Sequence, residues 1–365
     1  MSKIAIVSDT HFGARNDSPI MQSFQKKFLD KVFFPTLDTH NIKQVIHAGD
    51  YGDRRKYWNV GTIRFVEEEY RAQLRWRDVH EHVIIGNHDC FLRDSTAING
   101  PDELWSLDKS MTVYSQPVEV EIEETPFLFL PWICGNNREV SEKLIATSDA
   151  PYIIGHLELA GFQMYKGMPA HEGADPSVYD RFQLVMTGHY HHRSSQPPVQ
   201  YLGAMWPMIW SDYRDPRGFH LFDTDTKELE FVPNPYSMFC RFVYDDEGKD
   251  SSYLEKMIAM IVQKGSPFHD AYVKIVVKSK TQPHWLDLVM DALAKVNAQD
   301  VAVIDDIIAS DEDSDGEHVS MDIDTLTIID EYVDGLTVNC DKAELKTYLR
   351  SVYSEAQALS QTSRE

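Results

Sequence analysis

The sequence predicts an α/β chain: a sheet with helices on its faces, followed by a second run of strands. Three observations carry this. The first 90 residues alternate strand, helix, strand, helix, strand. From about 112 to 232 short strand-like segments follow one another, which reads as a second sheet or the second half of a sandwich. Finally, 365 residues at 42% hydrophobic and 25% charged exceed one ordinary domain and can bury a sizeable core.

The elements justify themselves in order. KIAIVS (3–8) is a short apolar strand, and a helical period follows near 18–34. A second strand runs from Gln44 to Ala48 and stops at Gly49-Asp50. A helix near 60–78 leads to a strand over His82–Ile85, after which comes GNHD. In such sheets ligands gather beyond the carboxyl ends of the strands, and Asp9, Asp50 and Asn87 all fall there. Strand patterns recur over 112–131 and at 152–155, 183–187, 199–202, 218–222 and 228–232. VPNPYS (232–237) marks a boundary, so residues 1–235 form the first domain. A small α/β unit over 236–305 follows: helix near 251–264, strand 271–279, helix near 284–297, strand 301–304. Residues 306–324 are an acidic linker, and 325–365 carry two short amphipathic helices around Gly335. Two such helices cannot build much core alone. A partner surface is the sharper reading, and docking on the parent chain the blander one.

Bulk properties narrow the function. Lysine plus arginine number 35 against 58 acidic residues, a net charge of −23. That argues against a protein that coats nucleic acid, but not against a nuclease whose bound cations reverse the local sign. Cys90, Cys134, Cys240 and Cys340 form no CxxC pair and read as reduced thiols. The start runs directly into a strand and no apolar run reaches the ~18 residues of a span, so a cytoplasmic protein is expected.

Five strand-end segments carry chemistry: SDTHFG (8–13), HAGDYGD (47–53), GNHD (86–89), GHLE (155–158) and GHYHH (188–192). They offer the carboxylates of Asp9 and Asp50, the amide of Asn87, and the imidazoles of His11, His156, His189 and His191. Any one histidine could be a core residue. The set suits two divalent ions sharing a carboxylate, and mixed nitrogen and oxygen donors favour manganese, iron or zinc. Two ions bring +4 against −2 from the two aspartates, which leaves a positive surplus for a phosphodiester.

In this order, these motifs resemble the calcineurin-like metallophosphoesterases over roughly residues 4–192. The resemblance implies a two-layer β-sandwich flanked by helices, with a dinuclear site. By position, Asp9, His11, Asp50 and His191 would hold one metal; Asp50, Asn87, His156 and His189 would hold the other. His88 would act on the transition state and the leaving oxygen, and Asp89 would orient His88. Within the superfamily the chain most resembles the SbcD-type nuclease subunits, especially the recombination endonuclease subunits of tailed phages. That resemblance assigns a DNA-capping role to 236–305. It assigns the C-terminal helices to an SbcC-type coiled-coil ATPase. It implies manganese (magnesium second), DNA as substrate, exonuclease action at duplex ends, endonuclease action on single strands, a homodimer, and the cytoplasm of a bacterial host.

Two other readings compete. GDYGDRR (49–55) is reminiscent of protein phosphatases, with Arg54 as a phosphate clamp, or of a small-substrate phosphodiesterase. A scaffold with a vestigial site is the third. DNA contacts are expected from Arg54-Arg55-Lys56, from Arg71, Arg75 and Arg77, and from Arg193, each equally readable as a solvated face. His192 has no assigned role and reads as exposed. Asp311, Asp313, Asp315 and Asp322 approach a calcium loop, but flanking helices are missing and an acidic tether is the better reading.

Overall fold

A computed structural model describes residues 2–305 and, beyond them, Val333, Lys342, Leu345, Lys346, Tyr348 and Leu349. The acidic linker, the aspartate loop within it and the paired tail helices therefore lie outside the described residues, apart from those single positions. No helix among the described residues is long and apolar enough to cross a membrane.

The first sheet is built around three parallel strands, β1 (Lys3–Val7), β2 (Gln44–His47) and β3 (His80–Ile84). Met111–Tyr114 extends it in parallel beyond β3. Gly218–Asp223 joins β1 antiparallel, and Leu229–Pro233 closes the edge. The second sheet runs Ser194–Gln196, Val199–Tyr201, Leu184–Gly188, Tyr152–His156, Thr125–Leu130, Val118–Ile122.

Strand alternation explains why the sheets stack. Ile4, Ile6, Ile46 and Ile84 point one way and meet Phe127, Phe129, Ile154 and Met186 of the second sheet. Their neighbours Ala5, Val7, Val45 and Val83 point the other way, onto Phe28, Phe33, Tyr70 and Leu74 of the helices. Strands buried on both faces must be apolar throughout, as KIAIV is. The architecture is thus the expected two-layer sandwich flanked by helices. The helices, over 19–40 and 60–76, each contain one π-turn, at Leu29–Phe33 and Val66–Arg71. Ser18 and Asn59 cap their first turns through side-chain oxygens.

Residues 239–305 form a three-stranded parallel sheet of Phe239–Asp245, Tyr272–Ser279 and Gln299–Asp305. Helices Ser251–Val262 and Pro283–Lys295 cross over between the strands and share with them a separate core. The small unit begins with a strand, not with the expected helix. Cys240 and Tyr244 enter that separate core, whereas Phe239 packs on the larger domain. Burial on both faces blurs the period-2 signal. The hairpin Cys90–Leu92/Ser95–Asn99 and the helices Gly100–Trp105 and Arg138–Thr147 are likewise additions to the expected elements.

The proposed basic cluster of Arg71, Arg75 and Arg77 is corrected. Arg71 is fully buried. Its guanidinium pairs with Glu81, reaches Asp108 at 2.9 Å and donates to Ser110 at 3.0 Å, while Tyr70 donates to Glu81 at 2.7 Å. Arg75 pairs with Asp108 and Glu67, and Arg77 with Asp38. All three hold the helix in place rather than reaching for a ligand. Arg71→Met strands a buried carboxylate, so urea denaturation is expected to show a loss of about 3–5 kcal/mol. Arg75→Met, at the surface, should cost no more than about 1 kcal/mol. Equal losses would contradict this division.

Candidate metal centre

The loops that follow the strands meet at one edge of the sandwich. β1 delivers Asp9 and His11, β2 delivers Asp50, and β3 delivers Asn87 and His88. His156 ends its own strand, and His189 and His191 follow Leu184–Gly188. The side chains form two groups: Asp9, His11 and His191, and Asp50, His156 and His189, with donor atoms in each within 4.8 Å of one another. Asp50 touches both groups. Its Oδ2 lies 3.5 Å from His11 Nε2 and 3.4 Å from His156 Nε2. Asn87 Oδ1 lies 2.9 Å from His156 Nε2 and 3.0 Å from His189 Nδ1. All seven predicted ligand residues are therefore brought together.

Comparison with known proteins fits this geometry. Residues 2–193 match the calcineurin-like phosphoesterases. The chain belongs to the calcineurin-like phosphoesterase family. Exonuclease subunit 1 of Enterobacteria phage T4 is 29% identical over 358 residues, covering 97% of this chain and 99% of that protein. A second relative, the SbcD component of the nuclease SbcCD of Staphylococcus saprophyticus, is 21% identical over 260 residues, 63% of this chain and 68% of its own. A solved archaeal phosphodiesterase shares 17% identity at a TM-score of 0.32, over 63% of this chain and 99% of its own.

In this phosphoesterase the donors fit divalent cations on the structure's own terms. His156 Nδ1 lies 2.9 Å from the Ala48 carbonyl. A carbonyl only accepts, so Nδ1 carries a proton, and Nε2 is the nitrogen turned towards Asn87 Oδ1 and Asp50 Oδ2. His11 Nε2 and His191 Nε2 face each other at 3.0 Å, while His11 Nδ1 is buried without a hydrogen-bond partner. With Asp9, these two nitrogens gather donor atoms close enough to share one cation.

Electrostatics perturb these groups in both directions: burial works downward on His156, but the Asp50 and Asp9 carboxyls outweigh it and raise that ring to about 9. Burial pushes Asp9 up to about 7. It pushes His11 well below the ordinary imidazole value, and His189 and His191 to about 3. Neutral imidazole is the ligating form. Burial works upward on Asp50 too, but the imidazoles of His156 and His88 outweigh it and hold that carboxyl well below its usual range.

The backbone is bent to aim these groups. Asp9, His11, Asp50 and His189 have φ of 50, 40, 53 and 92°, a left-handed region that L-residues seldom enter. Amide hydrogen bonds from Asp9 to Gly49 (3.1 Å) and from His11 to Asp50 (3.0 Å) hold the loops together. The Asp50 Oδ1 accepts from the His88 amide at 2.8 Å, and Asp9 Oδ1 from the His189 amide at 3.1 Å.

The role predicted for Asp89 is corrected. His88 Nδ1 lies 2.7 Å from the backbone carbonyl of Asp53, which orients the ring. The Asp89 carboxylate is buried and accepts from the amides of Gly86 (2.9 Å) and Gly52 (3.0 Å). It ties the GNHD loop to the GDYGD loop. His88 itself is half-buried, its ring 4.9 Å from that of His11. His192 is not simply exposed, because its Nδ1 meets Asp215 at 2.8 Å. Arg54 pairs with Asp17 and donates to the Gly13 carbonyl at 3.2 Å. Arg193 stacks 3.5 Å over the Phe231 ring. Neither is a solvated arm, whereas Lys56 is exposed.

Asp53 and Trp132 receive no role from sequence. Besides its carbonyl, Asp53 brings Oδ1 within 3.7 Å of His11 Nδ1. Trp132 follows the strand Thr125–Leu130, and its ring lies 5.2 Å from that of His189. The strand-end rule that flags the other loops applies to both.

Gly86 is required by close approach. A Cβ there would collide with Oδ1 and the backbone nitrogen of Asp50. Gly86→Ala is expected to displace Asp50 and weaken manganese binding about tenfold or more in a calorimetric titration, with the fold retained. Unchanged affinity would show that Asp50 tolerates the shift.

Proposed function

We propose that this phosphoesterase is the metal-dependent DNA nuclease subunit of a recombination or repair complex driven by a coiled-coil ATPase. The observation that carries the reading is Asp50 between two donor groups, beside an imidazole whose Nδ1 is already engaged. Asp9, His11, Asp50 and His191 hold one divalent ion, and Asp50, Asn87, His156 and His189 the other. Manganese suits the mixed donor set, with magnesium second. Such ions supply Lewis acidity and offset phosphate charge.

The chain's own residues do the rest. His88 Nδ1 donates to the Asp53 carbonyl, which leaves Nε2 for the substrate; as imidazolium, His88 donates from Nε2 to a phosphate oxygen and passes that proton to the leaving oxygen, ending as the neutral ring still protonated at Nδ1. Asp89 sets the spacing of the two loops that carry Asp50 and His88. Lys56 offers an exposed cation for the DNA backbone. The near-complete alignment with a phage exonuclease subunit favours DNA as substrate. Arg54 is committed to Asp17, so the phosphatase reading loses its clamp. The proposal includes exonuclease action at duplex ends, endonuclease action on single strands, residues 236–305 as a DNA cap, a homodimer, and work in a bacterial cytoplasm.

The test uses end-labelled duplex and single-stranded DNA with manganese, magnesium or EDTA. Manganese-dependent cleavage is expected, reduced about 10²–10⁴-fold in His88→Ala and absent in Asp50→Ala. Hydrolysis of a small chromogenic diester with DNA left intact, even beside the ATPase, would overturn the reading.

Deleting 306–365 addresses the partner. The truncated protein should keep basal metal-dependent hydrolysis and lose both ATPase binding and ATP stimulation. Stimulation that survives would place the contact elsewhere.

A further inference from the structure

The histidine left over from the GHYHH motif joins Asp212, Asp215 and Arg217, three residues that lie beyond the matched family residues 2–193. Arg217 is 2% exposed. One arm of its guanidinium donates to the backbone carbonyl of His191. The other pairs with Asp212 and reaches Asp215 Oδ2 at 3.0 Å. Asp215 takes the Nδ1 of His192 at 2.8 Å. Asp212 in turn accepts the amides of Met208 at 2.7 Å and Ile209 at 3.0 Å. The amide of Ala204 meets the same His191 carbonyl at 3.1 Å. The loop before strand Gly218–Asp223 thus grips His191 by its backbone and His192 by its side chain.

We infer that Arg217, with Asp215 and His192, is a positioning unit for His191, and so controls one metal position and not the other. The inference rests on the proposed metal-binding reading. Its physical basis is geometric. The imidazole of His191 hangs from a backbone whose carbonyl is fixed by a buried guanidinium, and that guanidinium is fixed by two carboxylates. A planar guanidinium whose two arms hold different partners sets direction as well as distance. Its touch falls on the Asp9, His11, His191 group. In the Asp50, His156, His189 group, His156 has an anchor of its own, the Ala48 carbonyl, which Arg217 does not touch.

The experiment is a manganese titration of the full-length, metal-free chain by calorimetry, with thermal unfolding of the same samples. The wild type is expected to take up two ions. Arg217→Met is expected to weaken one step about 10–100-fold and leave the other within experimental scatter, while lowering the melting temperature because two buried carboxylates lose their partner. Arg217→Lys should recover part of the lost affinity, and Asp215→Asn and His192→Ala should each weaken the same step less. These milder variants keep the question open to measurement if Arg217→Met does not fold. Both steps falling together with melting temperature across the series would overturn the inference, as would two unchanged steps. A wild type that binds no manganese would instead defeat the metal-binding reading itself.

Discussion

Asp50 is a buried carboxylate approached by imidazoles from two groups, and the loops around it are built to meet the demands of that burial. A carboxylate removed from water needs charge and hydrogen bonds to compensate. It receives both: His11 and His156 stand beside Oδ2, and the His88 amide donates to Oδ1. The same need explains why Gly86 must lack a side chain, and why Asp50 itself adopts a left-handed backbone. Each neighbouring loop is shaped by what it brings to this one group.

The sandwich makes that convergence possible. Its central strands are largely apolar on both faces, so their ligand side chains appear only where they end, together at one edge. Two sheets in contact bring the ends of β1, β2 and β3 alongside those of Tyr152–His156 and Leu184–Gly188. Elsewhere in the frame, charges are neutralised in pairs. The Arg71, Glu81 and Asp108 cluster shows how arginines that look like surface cations in sequence are drawn into the scaffold.

Much of this is legible in the sequence, and the limits have physical causes. Asp9, His11, Asp50, Asn87, His156, His189 and His191 stand out because each is a ligand type placed where a strand stops. The core strands stand out because their apolar runs are short and bounded. Roles that pass through the backbone are not legible. The partner of His88 is a carbonyl, and a carbonyl leaves no trace in residue identity. Asp89 misleads for this reason: it is next to His88 in sequence, while its carboxylate turns to two amides. The strand Phe239–Asp245 is hidden because it is covered on both faces at its start, where Phe239 meets the larger domain and Cys240 the smaller core. His192 reads as exposed because Asp215 is distant in sequence and close only in space.

The carbonyl of Asp53 has a further meaning. The group that orients the His88 ring is present whatever amino acid occupies position 53. Exchange of the side chain alone cannot remove it; only a change in the path of the chain can. Drift at that codon is therefore buffered as far as the ring's orientation is concerned. The vulnerability passes instead to Asp89, whose carboxylate clasps the Gly52 and Gly86 amides to keep the two loops in register, and to those glycines, where a Cβ would strike Trp58 and Asp50. Inheritance of the ring's posture thus depends on the residues that fix the path of the two loops rather than on the side chain that stands beside the ring's hydrogen bond.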